Sequence, residues 1–156
     1  MFRILILLSL ALFFSAPLPA QVRPIHFEDL KEIQATEPRP VAVFIMTDWC
    51  KYCHAMKNTM IKNKEISRIL ADRFYVIFLD AEEKRDIIYT GKHFKYKPTG
   101  VNTGMHELAT HLGTIGGRIA YPSLCFLNEK NEIIYQYAGF LNSTGLNSLL
   151  KELSVR

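Results

Sequence analysis

Val41-Ala42-Val43-Phe44-Ile45-Met46-Thr47-Asp48-Trp49-Cys50-Lys51-Tyr52-Cys53-His54 is the stretch that decides how this chain is read. Its first six residues form an unbroken apolar run, the pattern of a strand buried on both faces of a sheet. Thr47-Asp48 are residue types that cap a following helix. Over residues 50–74, Met56, Met60, Ile66, Ile69 and Leu70 keep a mostly helical spacing, with a bend expected near Lys62-Asn63. Two cysteines three apart at such a helix start can close a small disulfide. The first lies where unpaired N–H groups and the helix dipole favour an anion. That lowers a thiol's pKa and raises its thiolate fraction, and Lys51 adds positive charge. Cys50 is then the exposed nucleophile. Cys53, one turn on, is the resolving thiol that releases a mixed disulfide. The alternative for the pair is a static disulfide or two buried free thiols.

Before this stretch, Phe27, Leu30 and Ile33 give residues 27–35 a helical spacing, which Glu37-Pro38-Arg39-Pro40 breaks. Tyr75-Val76-Ile77-Phe78-Leu79 reads as a second buried strand, ended by Asp80. Residues 84–120 are less regular: Lys97-Pro98-Thr99-Gly100 and Asn102-Thr103-Gly104 look like turns, and residues 105–112 like a short helix stopped by Gly113. Residues 123–127 and 132–137 fit a hairpin joined at Asn128-Glu129-Lys130-Asn131. Gly139 breaks the chain, and Leu146, Leu149, Leu150 and Leu153 mark a closing helix. A βαβ unit followed by a hairpin and a helix builds a single α/β domain, a mixed sheet with helices on both faces.

An apolar strand, then Asp48-Trp49-Cys50-Lys51-Tyr52-Cys53, then a long helix resembles the thioredoxin superfamily, and in particular secreted bacterial thioredoxin-like proteins. Tyr121-Pro122, just before a strand, resembles that family's cis-proline, and the order of elements from about residue 27 to 153 matches as well. The resemblance implies a thioredoxin-like fold with an insertion before the cis-proline strand. It also implies that the chain is a thiol–disulfide oxidoreductase working through Cys50 and Cys53, by oxidation, reduction or isomerisation. Trp49, Lys51, Tyr52, Tyr121 and Pro122 would then shape the substrate surface. One position departs from the family: six residues before the first cysteine many thioredoxins carry a buried aspartate that accepts a proton, and here that residue is Phe44. Asp80, Glu82 or water is left to do that work. A domain that keeps the fold but has lost useful redox activity is therefore the alternative to an enzyme.

The ends and the composition bound the remaining choices. Residues 1–20 have a basic start with Arg3, an apolar run over residues 4–14 and a small-residue exit through Ser15-Ala16-Pro17-Leu18-Pro19-Ala20. This reads as a secretory signal cleaved after Ala20, leaving a domain of residues 21–156, periplasmic or secreted, with no stable membrane span after cleavage; an uncleaved anchor is the alternative. Loss of Arg3 alone would lower the net charge from +4 to +3, an excess that suits a solvated surface and no nucleic acid. Three cysteines are too few for a disulfide scaffold, so the close pair is the working one. Cys125 lies in an apolar strand and reads as a buried hydrophobe. Cys50-Lys51-Tyr52-Cys53-His54 also fits a c-type haem attachment pattern, although the preceding strand and Trp49 suit a redox helix. A zinc site built from Cys50, Cys53, His106 and His111 is disfavoured by the long separation between the two halves. No cofactor or metal is expected beyond the cysteine pair. The expected partners are protein thiols and disulfides and a redox partner protein, met by a monomer. The aromatic and basic character of residues 89–104 suggests either a partner-docking element or a surface excursion with its own packing cluster.

Overall fold

The computed structural model describes residues 21–154, so the leader expected over residues 1–20 lies outside the described residues. Helix α1 (Phe27–Thr36) leads to strand β1 (Val41–Met46), helices α2 (Lys51–Lys62) and α3 (Lys64–Arg73), and strand β2 (Tyr75–Asp80). Three short hairpins follow: β3 (Ile87–Tyr89) with β4 (Lys92–Phe94), β5 (Tyr96–Pro98) with β6 (Gly104–His106), and β7 (Thr114–Ile115) with β8 (Arg118–Ile119). Helix α4 (Glu107–Gly113) precedes the third. Strands β9 (Ser123–Leu127) and β10 (Ile133–Ala138) and helix α5 (Ser143–Leu153) close the domain.

The main sheet runs β10-β9-β1-β2. β2 lies parallel to β1, and β9 and β10 are antiparallel to their neighbours. Every residue of β1 is buried, as an apolar run at the centre of a two-faced sheet requires. Its side chains alternate: Ala42, Phe44 and Met46 join one core with Met56, Met60, Ile66, Leu70, Leu146 and Leu150 from α2, α3 and α5. Val41, Val43 and Ile45 join the other with Phe27 and Leu30 of α1 and Leu108 and Leu112 of α4. The bend expected near Lys62-Asn63 is a helix break: the Asn63 side chain accepts from the N–H groups of Glu65 and Ile66, both at 3.1 Å, and caps α3.

Two expectations need correction. The less regular segment 84–120, expected to hold turns at 97–100 and 102–104, forms three short hairpins, and residues 104–106 are strand, so α4 starts at Glu107 and not at 105. Thr90 (φ 51°) and Gly91 (φ 77°) form the two-residue turn that sets β3 against β4. Buried His106 ties the segment down. Its backbone N–H donates to the Ala81 carbonyl at 2.7 Å, its Nδ1 accepts from Leu108 N–H at 3.2 Å, and its Nε2 donates to the Arg85 carbonyl at 3.1 Å. The aromatic and basic residues here are largely used up internally. Tyr89 is buried against Phe27, and Phe94 stacks on His111. Lys95 pairs with Asp86 and Lys97 with Glu107. The packing-cluster alternative fits these residues better than a docking face.

Candidate active site

β1 delivers the chain to one end of the sheet, where the turn Thr47-Asp48-Trp49 closes with Cys50 N–H on the Thr47 carbonyl at 3.2 Å. Thr47 and Asp48 do not cap the helix, as their residue types suggest. The cap is Cys50 itself, in an extended conformation, with its Sγ accepting from Cys53 N–H at 3.1 Å. The sulfur takes the place a serine or aspartate oxygen usually holds, so whatever charge it carries meets the free N–H groups of the first helical turn. The two sulfurs are joined as a disulfide across a Cα–Cα distance of 5.2 Å. Cys53 is fully buried and Cys50 is 7% exposed. Cys50 is thus less open than expected, because its sulfur folds back over the helix start, but it is the cysteine that solvent reaches. His54 braces the turn: its Nε2 lies 2.7 Å from the Asp48 carbonyl, which can only accept, so Nε2 carries the proton.

Beneath the disulfide the wall is apolar. Phe44 is fully buried and meets Phe78 edge-on at 5.9 Å, and Lys57 Nζ sits 4.8 Å above the Phe78 ring. Carboxylates gather instead at the rim. Asp80, at the end of β2, accepts from Glu82 N–H at 2.9 Å. Burial holds its carboxyl above the usual range, opposed by that hydrogen bond and reinforced by Asp48, Glu82 and Glu83. Glu82 accepts from the Trp49 indole N–H at 3.2 Å.

Above the disulfide, contacts form a circuit. Trp49 meets Tyr121 edge-on at 6.1 Å. The Tyr121-Pro122 bond is cis, as the resemblance implied, and the Pro122 carbonyl accepts from Gly139 N–H at 2.8 Å. Phe140 then packs on Tyr52 at 5.6 Å, and the short run from Tyr52 back to Trp49 closes the circuit through Cys50. Burial, helped by Glu82 and Asp80, pushes the Tyr121 hydroxyl up to about 12. All five residues expected to shape a substrate surface lie on this circuit, Lys51 exposed between Cys50 and Tyr52.

The model of the thioredoxin-like domain family matches residues 27–154. This chain belongs to that family. The solution structure of a thioredoxin from Thermus thermophilus shares 19% identity with this thioredoxin-like chain at a TM-score of 0.60, over 86% of this chain and 88% of that one. A DsbH oxidoreductase shares 15% at 0.59, over 93% and 94%. At these identities the likeness is one of fold. Mouse spermatogenesis-associated protein 20 is 31% identical over 51 residues, 33% of this thioredoxin-like chain but 6% of the mouse protein; the chain spans a small fraction of that relative.

The sequence offers Glu82 only as a proton acceptor, and its hold on Trp49, the Phe140 contact and the His54 brace are not legible there. Glu82 and Phe140 reach the site from the β2–β3 and β10–α5 connections, and only tertiary pairing brings them there. His54 stands in the sequence as a haem-motif residue, and its brace on Asp48 depends on the turn geometry. Cys125 is buried in β9 between Val43 and Gln136, on the opposite sheet face from the disulfide, and burial pushes its thiol up to about 12. Both ring nitrogens of His106 are occupied by the bonds described above. No helix among the described residues is long and apolar enough to cross a membrane.

Proposed function

We propose that this thioredoxin-like chain exchanges thiols and disulfides with protein substrates, outside the cytoplasm, with Cys50 as the attacking and Cys53 as the resolving sulfur. The observation that carries this is the Cys50–Cys53 disulfide at the start of α2, with Cys50, the less buried of the two, at the helix cap. In the reducing direction the Cys50 thiolate attacks one sulfur of a substrate disulfide and the other substrate sulfur leaves as a thiolate. Cys53 then gives up its proton and attacks Cys50 Sγ. The second substrate sulfur departs, two electrons have passed to the substrate, and the chain is left as the disulfide described above. The oxidising direction is the same sequence reversed, with a redox partner protein resetting the pair.

The site's form favours a macromolecular substrate. Two cavities of about 650 and 680 Å³ lie away from the disulfide, between α1 and the β3–β4 hairpin and at the α2–α3 junction, whereas the disulfide is bordered by exposed side chains. Phe44 favours a second reading, a domain that binds without turning over, because an apolar wall offers no acceptor for the Cys53 proton. Trapping separates them. Cys53→Ser should accumulate protein mixed disulfides through Cys50, and Cys50→Ser should not. Equal trapping by both variants, or none by either, would remove the assigned roles.

A further inference from the structure

The histidine directly after the second cysteine is tied twice to the segment that carries the attacking sulfur. His54 N–H donates to the Cys50 carbonyl at 3.1 Å, the bond that opens the ladder of α2. Its imidazole reaches back to the turn, where Nε2 donates to the Asp48 carbonyl at 2.7 Å. One residue of α2 therefore holds both ends of Asp48-Trp49-Cys50.

This grip matters most once the disulfide is open. In the oxidised chain the sulfur–sulfur bond itself keeps Cys50 Sγ beside Cys53 N–H, 3.1 Å away. Reduction removes that bond. The sulfur then stays on the cap only while Cys50 keeps its extended backbone, φ −84° and ψ 102°. Cys50 N–H on the Thr47 carbonyl, at 3.2 Å, is the turn's own tie. A turn that loosens carries the sulfur away from the N–H groups that favour its thiolate.

Resting on the exchange function proposed above, in which the Cys50 thiolate attacks, we propose that His54 is a positioning residue. By clasping the Asp48 carbonyl it keeps the Cys50 sulfur of the reduced chain on the cap of α2, and so keeps it ionised. The bond acts through the proton on Nε2, which imidazole and imidazolium both carry, so the clasp needs no charge on His54. The other titratable groups bordering the site are Lys51, Tyr52, Cys53 and Lys57 on α2, Asp48 in the turn, Asp80 and Glu82 at and after the end of β2, and Tyr121 before the cis-proline. A hydrogen bond at an exposed ring changes the population of the held turn about twofold to tenfold. This gives the histidine of the Cys-x-x-Cys-His pattern a use that requires no haem.

The test is the rate of Cys50 alkylation by iodoacetamide in the reduced native chain, followed from pH 5 to pH 9 with the labelled site read by mass spectrometry. The wild type should ionise below the free thiol's value of about 8.5. His54→Ala should move the profile to higher pH and slow labelling at pH 6 about twofold to tenfold, with the same plateau at high pH. His54→Gln places a neutral N–H donor at similar reach and should restore most of the wild-type profile. A His54→Ala profile that overlays the wild type overturns the clasp. So does a fall by one factor at every pH, which marks general damage to the fold, and so does Gln behaving like Ala, which makes imidazolium charge the cause. Alkylation needs no exchange partner, so the two readings fail separately. A chain that shows the expected profiles but exchanges with no protein disulfide keeps the clasp and loses the function.

Discussion

Removing the carboxyl group of Glu82 should loosen the tryptophan beside the disulfide by an amount the contacts allow to be bounded. The Trp49 ring is held by its N–H to Glu82 Oε1 at 3.2 Å and by its edge contact with Tyr121 at 6.1 Å. Glu82→Ala deletes the first and keeps the second. A hydrogen bond at so exposed a ring contributes about 0.5–1.5 kcal/mol net, since water replaces the lost partner. The held orientation should therefore lose about twofold to tenfold in population. Trp49 is the chain's single tryptophan, so its emission reports this ring alone. Glu82→Ala should raise acrylamide quenching and lower emission anisotropy. Glu82→Gln keeps an acceptor oxygen at the same reach and should stay near the wild type. Equal quenching in Glu82→Ala and wild type would refute the hydrogen bond as the hold on Trp49. Gln behaving like Ala would show that charge, not the bond, is what matters.

Other perturbations have equally definite outcomes. With its thiol pushed up to about 12, Cys125 has roughly one thiolate in ten thousand at pH 8, so alkylation of the reduced native chain followed by mass spectrometry should leave it unlabelled until the protein is unfolded; rapid native labelling would contradict its burial. Asp80 has its folded carboxyl held above the ordinary range, mainly by burial, so its ionisation costs the folded state. That cost is absent below the unfolded pKa of about 3.9 and present once the pH exceeds the folded value. Asp80→Asn, which can still accept from Glu82 N–H, should raise the urea midpoint at pH 7 and lose the gain near pH 3; a gain independent of pH would point to another cause. Phe44→Asp should destabilise by at least about 3 kcal/mol, since it empties a fully buried aromatic site. The loss should be larger at pH 8 than at pH 5, because ionising a carboxyl at a fully buried site costs desolvation; an equal loss at the two pH values would mean that water or the Lys57 ammonium over the neighbouring Phe78 ring already compensates the charge.

Much of this is legible in the sequence because it rests on local patterns. The apolar run of residues 41–46 suits only a doubly covered strand, and the spacing after Cys50 suits only helix, so the pattern alone puts the cysteine pair at the end of the sheet. The cap is not legible in the same way. Thr47 and Asp48 are usual capping types, whereas a sulfur already tied to Cys53 takes that role here. Residues 84–120 are opaque for a different reason. Strands of two or three residues carry no usable period, and what holds them is distant: His106 on Ala81 and Arg85, Tyr89 against Phe27, and Lys97 on Glu107. The same lysines and aromatics that look free to greet a partner are partnered within the chain. Phe140 carries no signal beyond following Gly139, because its meaning comes from the bond between that glycine and Pro122.

If Cys50 and Cys53 are a working redox pair, the emission of the neighbouring Trp49 should follow the opening and closing of their disulfide. Equilibrated in a series of glutathione or dithiothreitol buffers, the native chain should pass reversibly between disulfide and dithiol. The transition should have a two-electron slope and a midpoint between about −270 and −120 mV, the range of exchange-active pairs. A disulfide that resists reduction to below about −300 mV, or that opens only when the protein unfolds, would be a structural link and not an exchanging pair.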